Sequence, residues 1–131
     1  MSELRTPIII VVTGEGGSGG ALAISVGDHI SMLQYATYSV ASPEACASII
    51  WRTADKAPDA AQAMKVSSNE LKKLKIIDEI ITEPLGGAHR DYEEISSSIK
   101  DSLIKNLSTL SRMSIQELLD RRYKRLIEIG I

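Results

Sequence analysis

The sequence predicts an α/β domain in which short strands and short helices come first and a helical hairpin closes the chain. Three observations predict it. Ile8 to Thr13 is a β-branched run without alternation, the pattern of a strand buried on both faces. The glycine stretch GEGGSGG follows that run directly. In the last third, Ile95, Ile99, Leu103 and Leu107 recur every four residues, as on one side of a helix.

The elements follow in order. Met1 to Arg5 reads as the last turn of a helix, and Thr6-Pro7 leads at once into the first strand, an abrupt start that suggests a piece of a longer protein. After the glycines, Ala21 to Val26 is a short helix stopped by Gly27. Ile30 to Leu33 and Thr37 to Val40 are strands around a bend at Gln34-Tyr35-Ala36. Ser42-Pro43 is an N-cap followed by proline at the first helical position, and that helix carries Ala45, Cys46, Ile49 and Ile50 inward toward Trp51. Asp55 to Met64 is an alanine-rich helix. Ser67 to Glu70 has the spacing of a capping box and opens a helix through Leu74. Ile76 to Ile81 is a second apolar strand, broken by Glu83-Pro84-Leu85-Gly86-Gly87. Ser114 to Glu117 is another capping box, opening a helix striped by Ile115, Leu118, Leu119, Tyr123, Leu126 and Ile127.

Composition narrows the function classes. With 131 residues, 44% hydrophobic and 24% charged, the chain is one small domain's worth of ordinary globular sequence. Fifteen basic and 17 acidic side chains give a net charge of -2, so no global field attracts nucleic acid or an anionic membrane. The longest apolar run is about six residues, against about 20 for a bilayer span. A single cysteine, Cys46, excludes an intrachain disulfide and a Cys-rich zinc site, and a reducing, cytoplasm-like compartment fits.

Four site types could be written as GEGGSGGALA. A phosphate loop needs lysine after its last glycine, and Gly20-Ala21 stands there instead. Gly14, Gly16 and Gly19 spell a dinucleotide fingerprint, but Gln34 to Val40 holds no ribose-binding carboxylate. Gly16-Gly17-Ser18-Gly19-Gly20 fits a nucleophile elbow, with Asp78 and His89 downstream in hydrolase order, although a helical hairpin follows that histidine. The fourth reading uses the backbone alone. A strand that ends in glycines and turns into a helix offers free amides and a positive dipole end, with no Cβ to block an approaching oxygen. That is an oxyanion hole, and it needs no catalytic side chain. A close backbone crossing in a packed core is the bland explanation of the same glycines.

GEGGSGGALA, MLQYATYSVASPEACASIIW, ADKAP and IIDEIITEPLGGAHRD, in that order and followed by RRYKRLIEIG, closely resemble the α subunit of acetyl-coenzyme A carboxylase carboxyltransferase of the bacterial and plastid type. The resemblance covers essentially the whole chain and corresponds to the C-terminal portion of longer family members. It implies a partial crotonase-like (ClpP-like) β-β-α spiral followed by a C-terminal helical hairpin. Residues 1–90 would be the C-terminal part of the carboxyltransferase core, and residues 91–131 C-terminal helices of the same domain that pack or form an interface.

The activity so implied moves a carboxyl group from carboxybiotin, held on a separate biotin carboxyl carrier protein, to acetyl-CoA, giving malonyl-CoA. The setting is an ATP-binding complex of fatty acid biosynthesis, in cytoplasm or plastid stroma. A carboxyltransferase β subunit is the implied partner, in an α2β2 hetero-oligomer, and the family's zinc belongs to β, so no metal is expected on this chain. The resemblance assigns the α-side oxyanion hole to the backbone of Gly19 and Gly20, serving the biotin oxygen. Gly16, Gly17, Ser18, Ser42, Pro43 and Glu44 are candidate substrate-binding residues. Gly86, Gly87, His89 and Arg90 form a second candidate loop, with a turn into the long helix as the plain alternative. Trp51 and Cys46 are expected in the core, and the basic run around Tyr123 is expected as a solvated face with the tyrosine turned inward. A non-catalytic folding or interaction fragment, and a serine hydrolase using Ser18, remain as alternative readings.

Overall fold

The computed structural model describes residues 1–129. Three short strands, β1 (Ile9–Val12), β3 (His29–Leu33) and β5 (Glu79–Ile81), form one parallel sheet in the order β1-β3-β5. The central strand explains the apolar runs: Ile30, Ser31, Met32 and Leu33 are all buried, so neither face of β3 meets water. Its register sets Ile9 opposite His29 and Val12 opposite Met32, with Ser31 opposite Glu79 on the other side. The core gathers Val12, Ile30, Met32, Leu33, Tyr38, Leu71, Ile77, Ile81 and Ile95 around this sheet.

A second, two-stranded parallel sheet pairs β2 (Glu15–Gly17) with β4 (Thr37–Ser39). The sequence predicts a loop through the whole glycine stretch. Three residues of it are a strand, because Gly16 aligns with Tyr38 and the Gly14 carbonyl accepts from the Thr37 amide at 3.0 Å. Helix α1 (Ser18–Ile24) then starts three residues earlier than expected, with Gly19 and Gly20 in its first turn.

Between the strands lie α2 (Pro43–Trp51), a 3-10 turn at Ala54–Lys56, α3 (Ala57–Met64) and α4 (Ser68–Lys73). The Ser42 cap is present: its hydroxyl accepts from the Ala45 amide at 3.2 Å. The expected inward face of α2 is not. Ile49 is 78% exposed, and Ile50 and Trp51 are exposed too, because α2 packs on α3 and the 3-10 turn rather than on a sheet. Cys46 is free and half-buried. The box expected at Ser67 is also absent. The Ser68 hydroxyl is committed to the Gln34 carbonyl at 2.6 Å, and Glu70 pairs with Lys73 at 2.7 Å. Met1 to Arg5 forms a turn, closed by a bond from the Leu4 amide to the Met1 carbonyl, rather than a helix end.

The closing hairpin consists of α5 (Tyr92–Leu110), capped by Asp91, and α6 (Ile115–Ile127), capped by the expected reciprocal box of Ser114 and Glu117. On α5 the four-residue stripe drifts. Each four-residue step overshoots a turn by about 40°, so by Leu107 the stripe has rotated about 120° away from Ile95. Ile95, Ser102 and Leu110 are buried, and Leu107 is exposed.

The larger correction lies on α6. Tyr123 is 68% exposed and Arg122 is fully buried, reversing the expected facing. Arg122 pairs with Asp28 and also donates to the carbonyls of Met1, Ser2, Leu4 and Thr6. Arg121 donates to the Asp28 carbonyl at 2.7 Å, and Arg125 pairs with Asp78 at 2.8 Å. The arginines therefore clasp the amino end of the parallel sheet, and of the basic run only Lys124 is a solvated charge. Gly130 of the terminal motif lies outside the described residues.

Candidate functional site

In a parallel sheet all carboxyl ends point one way, and the loops leaving them form the natural crevice. Here Thr13 and Gly14 leave β1, Tyr35 and Ala36 follow β3, and Glu83 follows β5. These residues line one cleft of about 440 Å³, together with Gly86, Gly87, Ala88 and His89. The loop turns through Gly86 (φ 91°) and Gly87 (φ 102°, ψ 165°), and the latter is a region open essentially to glycine alone. A Cβ on Gly87 would also stand 3.3 Å from the His89 ring, so a side chain there would press on the imidazole. His89 and Arg90 are exposed at the loop's surface.

Glu83 holds this loop in place. One carboxylate oxygen accepts from the Tyr35 amide at 2.9 Å and the other from the Ala88 amide at 2.7 Å. Its own amide donates to the Gln34 side chain at 3.3 Å. Sequence reading missed Glu83, and a glutamate before proline in a turn carries no local signal that it binds two loops.

The glycine stretch borders this cleft at Gly14 and continues along a second one of about 300 Å³, lined by Val12, Gly16, Ala21, Ile24 and Tyr38 among others. The glycines divide into two kinds. A Cβ at Gly16 would meet the Tyr38 ring at 3.0 Å and Val12 at 3.3 Å, so core packing accounts for that residue. At Gly19 and Gly20 a Cβ would meet nothing within 4 Å beyond the helix's own backbone and the adjoining residues, so no packing among the described residues requires glycine there. No side chain caps α1, and the first amides of a helix lack intrahelical partners. Gly17 and Ser18, also exposed, form the strand-to-helix corner, with Ser18 at φ 64°. Gly19 and Gly20 line neither cleft and sit on the open surface beside them.

Several candidates do not join this end. Ser42, Pro43 and Glu44 form the start of α2 and line neither cleft. Ser18 has the local shape of a nucleophile elbow, but among the described residues no hydrogen bond links it to His29 or His89, so no hydrolase triad is assembled. Asp78, the expected acid, is at the opposite end of the sheet, where it accepts from the Ile30 amide at 2.7 Å and pairs with Arg125. His29 sits there too, 3.3 Å from Glu79. Glu79 collects further bonds from Ser31, Ser102 and Asn106. Burial pushes the Glu79 carboxyl up, but hydrogen bonds from Ser102, Ser31, Asn106 and His29 outweigh it and hold the group below its ordinary value. This polar knot ties β3 and β5 to α5. Among the described residues no group of three or more His, Cys, Asp or Glu is placed to hold a metal ion, and no helix is long and apolar enough to cross a membrane.

Comparison with known proteins gives one consistent result. A family model described as acetyl co-enzyme A carboxylase carboxyltransferase-like matches residues 1–130. The chain is 60% identical over 130 residues to the acetyl-coenzyme A carboxylase carboxyl transferase subunit alpha of Yersinia enterocolitica, covering 99% of this chain and 41% of that protein. Subunits of the same name from Baumannia cicadellinicola and Photorhabdus laumondii match at 60% and 58% identity with the same coverage. The chain thus spans about two fifths of the length of these relatives.

Proposed function

The chain belongs to the acetyl-coenzyme A carboxylase carboxyltransferase-like family, and we propose from that premise that it supplies part of the α-side active site for transfer of a carboxyl group to acetyl-CoA. The observation that carries the reading is the pair Gly19 and Gly20. They lie in the first turn of an uncapped helix, and the space their missing side chains leave is not filled by any of the described residues. A pair of amides so exposed suits an acceptor brought from outside, one on which negative charge grows during reaction. The cyclic urea of biotin fits that description, since its oxygen is a small planar acceptor that a Cβ would fend off.

Carboxybiotin, delivered on a separate carrier protein, supplies the carboxyl group when bound. The chain's part is to donate hydrogen bonds from the Gly19 and Gly20 amides and to hold them rigid. Rigidity comes from Tyr38, which packs against Gly16 and hydrogen-bonds Ser25 at the end of α1. The loop bearing Gly86, Gly87, His89 and Arg90 is the candidate second wall for substrate. Ser42 to Glu44 enter this reading only through surfaces brought by partners. A β subunit provides the remaining catalytic surface, and an α2β2 assembly with malonyl-CoA as product is the expected whole. Within it, residues 1–90 belong to a crotonase-like core and residues 91–131 to the helices of the same domain.

The test is carboxyl transfer from malonyl-CoA to free biocytin, with a carboxyltransferase β subunit added to this chain and, in parallel, to the complete α subunit. Activity with the complete subunit supports the reading, and activity with both locates the whole α-side site in these 131 residues. Absence of transfer in both overturns it.

A further inference from the structure

We propose that Glu83 is a positioning residue: it locks the His89 loop to the bend after β3 and so fixes the wall of the cleft that faces Gly14. The inference rests on the carboxyltransferase reading only for what the cleft receives. Its basis is the division of labour between the two carboxylate oxygens. Oε1 accepts from Tyr35, in the segment that leaves the central strand, and Oε2 accepts from Ala88, the residue before His89. The backbone at Glu83 is itself held, through the Gln34 side chain at 3.3 Å, and the Gln34 carbonyl is in turn held by Ser68 at 2.6 Å. The Glu83 side chain thereby joins the bend after β3 to the loop after β5, and Ser68 at the start of α4 anchors the same bend.

Among the described residues no other side-chain hydrogen bond ties the loop to a distant segment. Its remaining bonds are local, from the Gly87 amide to the Pro84 carbonyl at 2.9 Å and from the Arg90 amide to the Gly87 carbonyl at 3.0 Å. Leu85, at the loop's tip, is 98% exposed. Pro84 is buried and Ala88 packs against the core, which keeps the loop near the sheet. Without Glu83, though, no side-chain hydrogen bond fixes the path through Gly86-Gly87, and His89 loses its tie to the bend after β3.

Carboxylate chemistry makes the role specific. An ionised glutamate offers an acceptor on each oxygen, whereas a glutamine offers one acceptor and one donor. Glu83→Gln can therefore satisfy Tyr35 or Ala88 but not both. Amide hydrogen exchange on this chain reads that directly. In the wild type both amides are expected to be protected, and in Glu83→Gln at least one should exchange about tenfold to a hundredfold faster, the usual weight of a bond to a charged group. Two unprotected amides in the wild type, or two unchanged ones in the variant, would overturn the clamp.

A functional readout separates positioning from mere support. In the complete α subunit paired with β, Glu83→Gln, His89→Ala and the double variant are compared for kcat/KM in biocytin carboxyl transfer. If Glu83 acts through the loop, the double variant is no slower than His89→Ala alone. Fully additive losses would contradict the proposal. An inactive wild-type assembly would refute the carboxyltransferase reading instead, and the exchange measurement would still decide the clamp.

Discussion

Arg122 and Asp28 form an ion pair with 0% exposure at either side chain, the guanidinium donating at 2.9 Å and 2.8 Å to the two carboxylate oxygens. Asp28 also accepts from the Ile8 amide at 2.8 Å, so the pair ties the entry of β1 and the entry of β3 to α6. Removing one partner leaves a buried, unpaired charge, and such changes cost about 3–5 kcal/mol. Arg122→Met should therefore remove a large share of a small domain's stability, while Tyr123→Ala, one residue on and exposed, should change it by no more than about 0.5 kcal/mol. Urea unfolding of the two variants checks the contrast. Equal losses would refute the buried pair.

The polar knot at Glu79 predicts an acid sensitivity. Its carboxyl is lowered in the folded state, as are those of the surface glutamates Glu70, beside Lys73, and Glu117, in the Ser114 box. A group with a depressed folded pKa contributes stability that is present above the unfolded value, about 4.3 for glutamate, and lost as pH falls through the folded one. Unfolding free energy should hold steady down to about pH 5 and drop below it. Glu79→Gln should flatten that drop, and an unchanged slope in the variant would show that Glu79 does not take part.

Leu22 and Ile24 on α1, Val40 after β4, and Ile49, Ile50 and Trp51 on α2 are all exposed. Apolar side chains in such number mark surfaces that associate. Light scattering of the isolated chain should show self-association that rises with concentration. A clean monomer across the micromolar range would argue that these side chains lie too far apart to act together.

Much of the fold was legible because it rests on local patterns. The runs at Ile8, Ile30 and Ile76 announced the three strands of the parallel sheet, and serine caps announced α2 and α6. What escaped was set by distant partners. The spacing of α6 could not say that Arg122 is buried, because its counter-charge is 94 residues away. β2 escaped because EGG has no apolar pattern, and only pairing with β4 makes it a strand. Helix α2 reads as apolar on one side, yet it packs mainly on α3 and the 3-10 turn, and Ile49 and Ile50 stay exposed. For the candidate site, the two glycine loops were visible as motifs. Glu83, which holds one of them, was not, since a carboxylate that accepts two backbone amides looks in sequence like any turn residue.

On the proposed function, the Gly19 and Gly20 amides receive an oxygen from outside the chain. The most direct measurement is biocytin carboxyl transfer by the complete α subunit carrying Gly20→Val, paired with β, with circular dichroism as the folding control. Beyond the helix's own backbone and the adjoining residues, no atom of the described residues lies within 4 Å of where the new Cβ would stand, so the helix should fold as before. Intact structure and a loss of transfer of at least about 100-fold, the usual cost of losing one oxyanion donor, are expected. Transfer at the wild-type rate would contradict the proposed function.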